Sequence, residues 1–415
     1  MLDTTIAEPN IARRSGSLWW NRDFLIIWGG QTLSSAGSFI SLLALPLLVL
    51  ALTGSPARAG LIGALRGAAG MLVMLPAGAL IDRWNRKWAM VVCDAGRLLA
   101  VGSLALALGL GHLSFIHICI VAVVEGVLGS FFELAYSALL PHVVTKEQLP
   151  AAVSRTRLSD SIMQVVGPSL GGLLYSLGRA VPFLVDTVSY VISTVSLLFV
   201  GTSGQGERGE IASTGRLSSE IRAGLAWLWQ HSLLRFLAVQ TGVMILCCQG
   251  YTLVVIVVAQ SLGATPGQIG LIFAIEGIGS VIGAVLTEPV LRRFRFGPVV
   301  IWTYWIMVLT WLLYGIAWNL PVLAVLVALG YLVVPIYFGA IYSYRLASIP
   351  NELQGRVNSV YRLISFGGGP ISLAATGWLL EAIGPFWTVI VTFVPQFILA
   401  VATLAQRSVR EAGKL

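Results

Sequence analysis

Arg66 and Glu276 are the two side chains whose placement points most directly to chemistry. Each lies ten residues after a proline, Pro56 and Pro266 respectively, inside an apolar run. At 1.5 Å per helical residue this is about 15 Å in, near the middle of an apolar slab about 30 Å thick. A charge at that depth costs about 2.5–3.5 kcal/mol on insertion scales, so it calls for a partner or a role. Opposite charges at equivalent depth make the two the first candidates for proton coupling or gating. Glu125 is similarly deep, and Asp186 lies nearer the outer end of its run. Both are further candidates for proton coupling or gating. Asp160 reads as a carboxylate bonded to a neighbouring helix. The four histidines (112, 117, 142 and 231) stand apart, and no nucleophile elbow, HExxH pair or phosphate-binding G-x-x-x-x-G-K-[ST] loop occurs. No catalytic residue, metal or cofactor is therefore expected. Active transport would have to draw on an ion gradient.

These residues need long apolar elements to hold them. The 415-residue chain is 57% hydrophobic and 11% charged, against roughly 25% charged in soluble domains. Mean hydropathy is +0.86. The composition excludes an ordinary soluble enzyme, a disordered chain and a disulfide scaffold, and the four cysteines read as small buried apolar side chains. Twelve apolar runs, from 24–51 to 385–405, are each long enough for a spanning helix and too long for the strands of a barrel. The predicted fold is all-α and membrane-integral. The predicted segments are a tail at 1–22, a six-helix bundle at 23–201, a linker at 202–231, a second six-helix bundle at 232–405 and a tail at 406–415. The linker ends in a short amphipathic helix through Trp227-Leu228-Trp229. The aromatic run from Trp302 to Trp318 is expected mostly against lipid.

Charge sets the orientation. With residue 1 in the cytoplasm, inner loops and tails collect 21 Lys and Arg, against Arg58 and Arg179 outside. The positive-inside rule then places both termini in the cytoplasm. Basic residues scattered between helices form no patch for nucleic acid. The partners expected are the bilayer, protons and a small molecule, with the chain working as a monomer.

The two bundles carry a repeat. Ser55-Pro56, Gly60-Leu61-Ile62, Ala64 and Gly67 recur 210 positions later as Thr265-Pro266, Gly270-Leu271-Ile272, Ala274 and Gly277. Parallel repeats of this kind suit two bodies that rock about a central site.

Two motifs complete the pattern. Gly78-Ala79-Leu80-Ile81-Asp82-Arg83-Trp84-Asn85-Arg86-Lys87 resembles the signature loop of the major facilitator superfamily, with Asn85 at the place of its second glycine. A left-handed backbone at Asn85 would fit that substitution. Asp82, Arg83 and Arg86 with Asp94, Arg97 and Glu133 are expected to form a network at the inner face, Glu133 receiving Arg86 or Arg97. Gly167-Pro168-Ser169-Leu170-Gly171-Gly172 looks like the G-P-x-x-G-G core carried by the superfamily's antiporters, a place for bending. Further matches (Gln31–Gly37, Leu52–Ser55, Phe131-Phe132-Glu133, Leu140-Pro141) resemble the branch of macrolide-efflux and enterobactin-exporter-like proteins. The resemblance implies a bacterial inner-membrane exporter of a small amphipathic organic compound, in exchange for protons. It also implies that the outer halves of the second and eighth spans approach when the chain faces inward, so that Arg66 and Glu276 would pair there as an outer gate, Glu276 taking up a proton when unpaired. Uptake of a hydrophobic metabolite and a non-transporting membrane receptor are the alternatives.

Overall fold

The computed structural model describes residues 18–81, 83–201, 217–410 and 413; Asp82 and the linker segment 202–216 lie outside them. The described residues form helices and no strand: a 3-10 turn at Leu18–Trp20, then α1 (Arg22–Thr53), α2 (Pro56–Ile81), α3 (Arg86–Gly109), α4 (Phe115–Val143), α5 (Leu149–Leu177) and α6 (Val181–Leu198). After the linker come α7 (Leu217–Gln230), α8 (Ser232–Cys248), α9 (Tyr251–Ser261), α10 (Pro266–Arg293), α11 (Phe296–Tyr314), α12 (Leu320–Ser348), α13 (Gln354–Phe366), α14 (Gly369–Ala405) and α15 (Arg407–Arg410). In hydrocarbon every backbone polar group needs an internal partner, which is why apolar runs of this length fold as helices.

Ten stretches among the described residues are long and apolar enough to cross a membrane. Ser232–Ser261 joins α8 and α9 across a break at Gln249 and Gly250. Gln354–Ala405 spans 52 residues, about 78 Å if straight and far more than one crossing needs. Gly384, with φ +77°, interrupts it. α5 is absent from the ten, because even its most apolar stretch carries Asp160, Gln164 and several Gly and Ser residues, which lower its hydropathy. Ten is thus the number given by length and composition, against the twelve expected.

Local signals set the ends. Asn21, Asn85, Ser114, Thr265 and Asn319 cap helix N-termini, each side chain accepting from a backbone N–H of the first turn. Asn85 sits at φ −70°, ψ 112°, so its role in the signature loop is capping α3 and not the left-handed turn expected.

The helices pack in two sets. α1 lies on α5 and α6, α2 on α4, and α3 on α4 and α6; α10 and α11 lie on α12, and α14 on α8 and α11. Bonds among helix ends define two faces. Asn21 donates to the Val143 carbonyl at 2.8 Å, Lys87 to Val200 at 2.6 Å, and the Phe296 N–H to Gly413 at 3.2 Å. This terminal face carries both described chain ends, and the turns after α1 and α9 lie at the opposite, far face.

Contact between the sets concentrates at the far face, along α2–α14 and α5–α10. Small residues make it possible. A Cβ on Gly172 would lie 2.5 Å from the Gly270 Cα, and one on Gly377 would lie 2.9 Å from the Gly60 Cα. Gly60 and Gly270 are the repeat-related pair, so the sequence repeat reappears as two equivalent seams. Leu72, Leu99, Ile116 and Trp302 are exposed on the perimeter, as side chains facing lipid should be. Tyr304, Trp311 and Tyr314 are buried, contrary to the lipid-facing expectation. On α11 they share the face opposite Trp302 and pack against α12 and α14.

Candidate functional site

A cavity of about 680 Å³ runs from mid-membrane toward the terminal face, between α1, α2, α4 and α5. Ser38, Phe39 and Arg66 line its inner end, and Pro141 and Leu149 its mouth. Glu133 and Asp160 also face it, with Arg157 nearby.

Beside its inner end lies a buried network drawn from five helices. Arg97 on α3 donates Nε to Glu125 on α4 at 3.3 Å, and its Nη1 lies 3.8 Å from Asp94 one turn back. Arg66 on α2 reaches the other oxygen of Glu125 at 3.4 Å. Tyr190 on α6 donates its hydroxyl to Glu125 at 3.4 Å, and the Arg97 guanidinium stacks over its ring at 4.4 Å. Arg97 also donates to Ser38 on α1 at 3.1 Å, and Ser193 to Asp94 at 2.5 Å. Asp94 is wholly buried, and Arg97 and Glu125 nearly so. Two cations thus balance two carboxylates, which is what burial of this depth demands. Asp186 adjoins the same charges without an ion pair among the described residues, fully buried and accepting from the hydroxyls of Ser41 at 2.5 Å and Ser189 at 3.5 Å.

The second set is built differently. Glu276 on α10 accepts from the Tyr251 hydroxyl at 2.6 Å, and no ion pair reaches it among the described residues. Tyr251 is ringed by Tyr331, Tyr314, Phe273 and Trp311, at centroid distances of 4.9, 6.1, 6.3 and 6.4 Å.

The expected Arg66–Glu276 pair is therefore not formed, although the far face is closed. Helical rotation turns Arg66 toward α4 within its own set, where Glu125 is already in place. The inner-face network also divides. Asp94 and Arg97 belong to the mid-membrane cluster, while Arg86 donates to the Ala138 carbonyl at 3.2 Å and lies 3.0 Å from the His142 ring. Glu133 receives neither arginine, because it points into the cavity. Gly78 has open space where a side chain would be, Arg83 is exposed, and Asp82 is outside the described residues. α5 runs unbroken through Pro168. Gly167 lies against Phe39, Gly171 against the Ile40 carbonyl, and Gly172 against α10. Asp160 accepts from Ser35 at 3.1 Å, the neighbour-helix bond expected of it. Sequence reasoning missed Tyr190, Ser193 and Ser41. The first two had a signal, since they follow Asp186 at 4 and 7 residues, on the face that Asp186 buries.

Two packed sets of helices, closed against each other at one face and with a cavity open toward the other, give the arrangement of a membrane transporter. Over residues 19–412 the sequence matches the family described as transmembrane secretion effector (MFS_3), and the chain belongs to that family of the major facilitator superfamily. It is 27% identical over 404 residues to the multidrug efflux pump Tap of Mycolicibacterium fortuitum, covering 93% of this chain and 96% of Tap. Macrolide efflux protein A of Streptococcus pyogenes is 27% identical over 273 residues, covering 64% of this chain and 66% of that protein. The fold matches the crystal structure of a bacterial homologue of the iron transporter ferroportin in its inward-facing state. The TM-score is 0.75 at 17% identity, over 94% of this chain and 99% of that one. The protein is a multi-pass membrane transporter and not an enzyme.

Proposed function

We propose that the chain exports a small amphipathic organic compound across the bacterial inner membrane, in exchange for protons, by alternating access. Both termini would be cytoplasmic and the working unit a monomer. The moving bodies would be the six-span halves 23–201 and 232–405, joined by the 202–231 linker, giving twelve passes in all. The relatives named as efflux pumps support export. The cation-rich terminal face supports its cytoplasmic placement, and the cavity is then the inward-open substrate site.

The observation that carries the coupling is Glu276. Glu125 is fixed by two guanidiniums, whereas Glu276 has, among the described residues, a neutral tyrosine hydroxyl and no cation. A carboxyl without a fixed counter-charge can gain or lose a proton without breaking an ion pair. Glu276 also adjoins Gly277, which packs on Val165 across the α5–α10 seam, so opening that seam changes its surroundings directly. Asp186, bonded by the hydroxyls of Ser41 and Ser189, is the second carboxyl able to carry a proton. Arg66 and Glu125 act as a fixed electrostatic frame, and Asp82, Arg83 and Arg86 as an inner-face lock.

The test is drug efflux from proteoliposomes under an imposed pH gradient, with substrate binding measured on the same protein. Glu276→Gln should retain binding and lose pH-driven efflux. Undiminished pH-driven efflux would transfer the role to Asp186.

A further inference from the structure

The two far-face seams share one backbone design and differ in one charge. In each, the start of a helix lies against glycine on the other half: Pro56 and Gly60 of α2 against Gly377, Pro266 and Gly270 of α10 against Gly172. The helix starts are capped differently. Thr265 and Gln268 close a capping box within α10 itself, the Gln268 side chain accepting from the Thr265 N–H at 2.8 Å. Opposite it, α5 offers only the small Ser176, 3.6 Å from where a Gly267 Cβ would stand. That seam holds by van der Waals contact.

At the start of α2 no such box exists. Ser55 and the Ala57 N–H instead donate to the carboxylate of Glu381 on α14, the latter at 3.1 Å. Ser55 in turn accepts from the Arg58 N–H at 3.2 Å. The Arg58 guanidinium turns to the Phe115 ring, 5.4 Å from its centroid, and makes no ion pair with Glu381. A helix start leaves N–H groups unsatisfied and carries partial positive charge, so a carboxylate is its natural cap. Here the cap comes from the opposite half of the molecule.

We infer that Glu381 is a gating residue: its carboxylate latches the α2–α14 seam and so sets how much of the protein rests with the far face closed. Opening that face must pull Glu381 off α2, which strips the Ala57 N–H and the Ser55 hydroxyl of their acceptor and leaves only the Ser55 cap on the Arg58 N–H. Among the described residues the α5–α10 seam has no such bond to break, so the α2–α14 seam governs the equilibrium. This rests on the alternating-access reading above, but on neither the substrate nor the coupling ion.

The test is hydrogen–deuterium exchange of the full-length protein in lipid nanodiscs, read by mass spectrometry, for wild type, Glu381→Ala, Glu381→Gln and Ser55→Ala. Glu381→Ala should raise uptake several-fold along the far-face halves of both α2 and α10, and lower it along the cavity walls of α4 and α5. Glu381→Gln and Ser55→Ala should show smaller changes of the same sign, and Ser55→Ala should add little once Glu381 is gone. Uptake unchanged in Glu381→Ala, or raised only at Ser55–Arg58, would overturn the latch. Because exchange is read without substrate or gradient, failure here leaves the export reading standing. Loss of pH-driven efflux in other variants leaves the latch standing in turn.

Discussion

The α1–α6 set and the α8–α14 set solve the same problem, polar groups at mid-membrane, in opposite ways. The first gathers Arg66, Asp94, Arg97 and Glu125 into a neutralising knot closed by hydroxyls from α1 and α6. The second places a single carboxyl, Glu276, against one tyrosine in a cage of rings. A knot of paired charges is rigid, because removing any member strands another in low dielectric. A lone acid is conditional on its surroundings. The pseudo-symmetric fold thus separates a fixed half from a responsive one.

The contrast breaks most plainly at Glu125. Glu125→Gln leaves Arg97 with Asp94 alone and strips Arg66 of its ion pair, and stability should fall by about 3–5 kcal/mol. The same change at Glu276 should cost far less, since Tyr251 can donate to an amide oxygen. Thermal unfolding in detergent, comparing the two variants, checks this. Equal losses would erase the distinction between the halves.

Asp186 tests the boundary. It sits in the fixed half yet, like Glu276, is bonded by hydroxyl and not by cation. Ser41→Ala removes the shorter of its two hydroxyl bonds and should destabilise by about 1–3 kcal/mol, and should leave pH-driven efflux largely intact if Glu276 carries the proton. A joint loss of efflux would move Asp186 into the responsive class.

The smallest effect is expected at Tyr251. Tyr251→Phe deletes one hydrogen bond at about 0.5–1.5 kcal/mol and keeps the ring packing. Its transport pH profile should shift while its unfolding temperature barely moves. An unshifted profile would mean that the tyrosine merely fills space.

Much of this was readable from residue order. The apolar runs, the repeat at Gly60 and Gly270, and the depth of Arg66 and Glu276 all follow from counting at a fixed rise per residue. Facing does not follow from counting. Each residue turns a helix by about 100°, so a depth argument left Arg66 free to point at Glu276 or at Glu125. Only the packing of α2 on α4 decides. The signature loop shows a similar limit. Its pattern told where a tight turn falls, but not that Asn85 would end that turn as a helix cap. Glu381 gave no local signal, because its partners lie more than 320 residues away.

Gly384 has a mechanical consequence. A single residue in a left-handed conformation joins the segments 369–383 and 385–405, which leaves no slack between them. The second segment is bolted at three heights: Trp311 to Thr392 at 3.0 Å, Cys248 to Gln396 at 3.2 Å, and Gln240 to Thr403 at 3.0 Å. A movement of the first segment at Glu381 therefore works against a second segment anchored to α8 and α11, and Gly384, with no side chain to restrict its backbone, is the joint at which the two can turn.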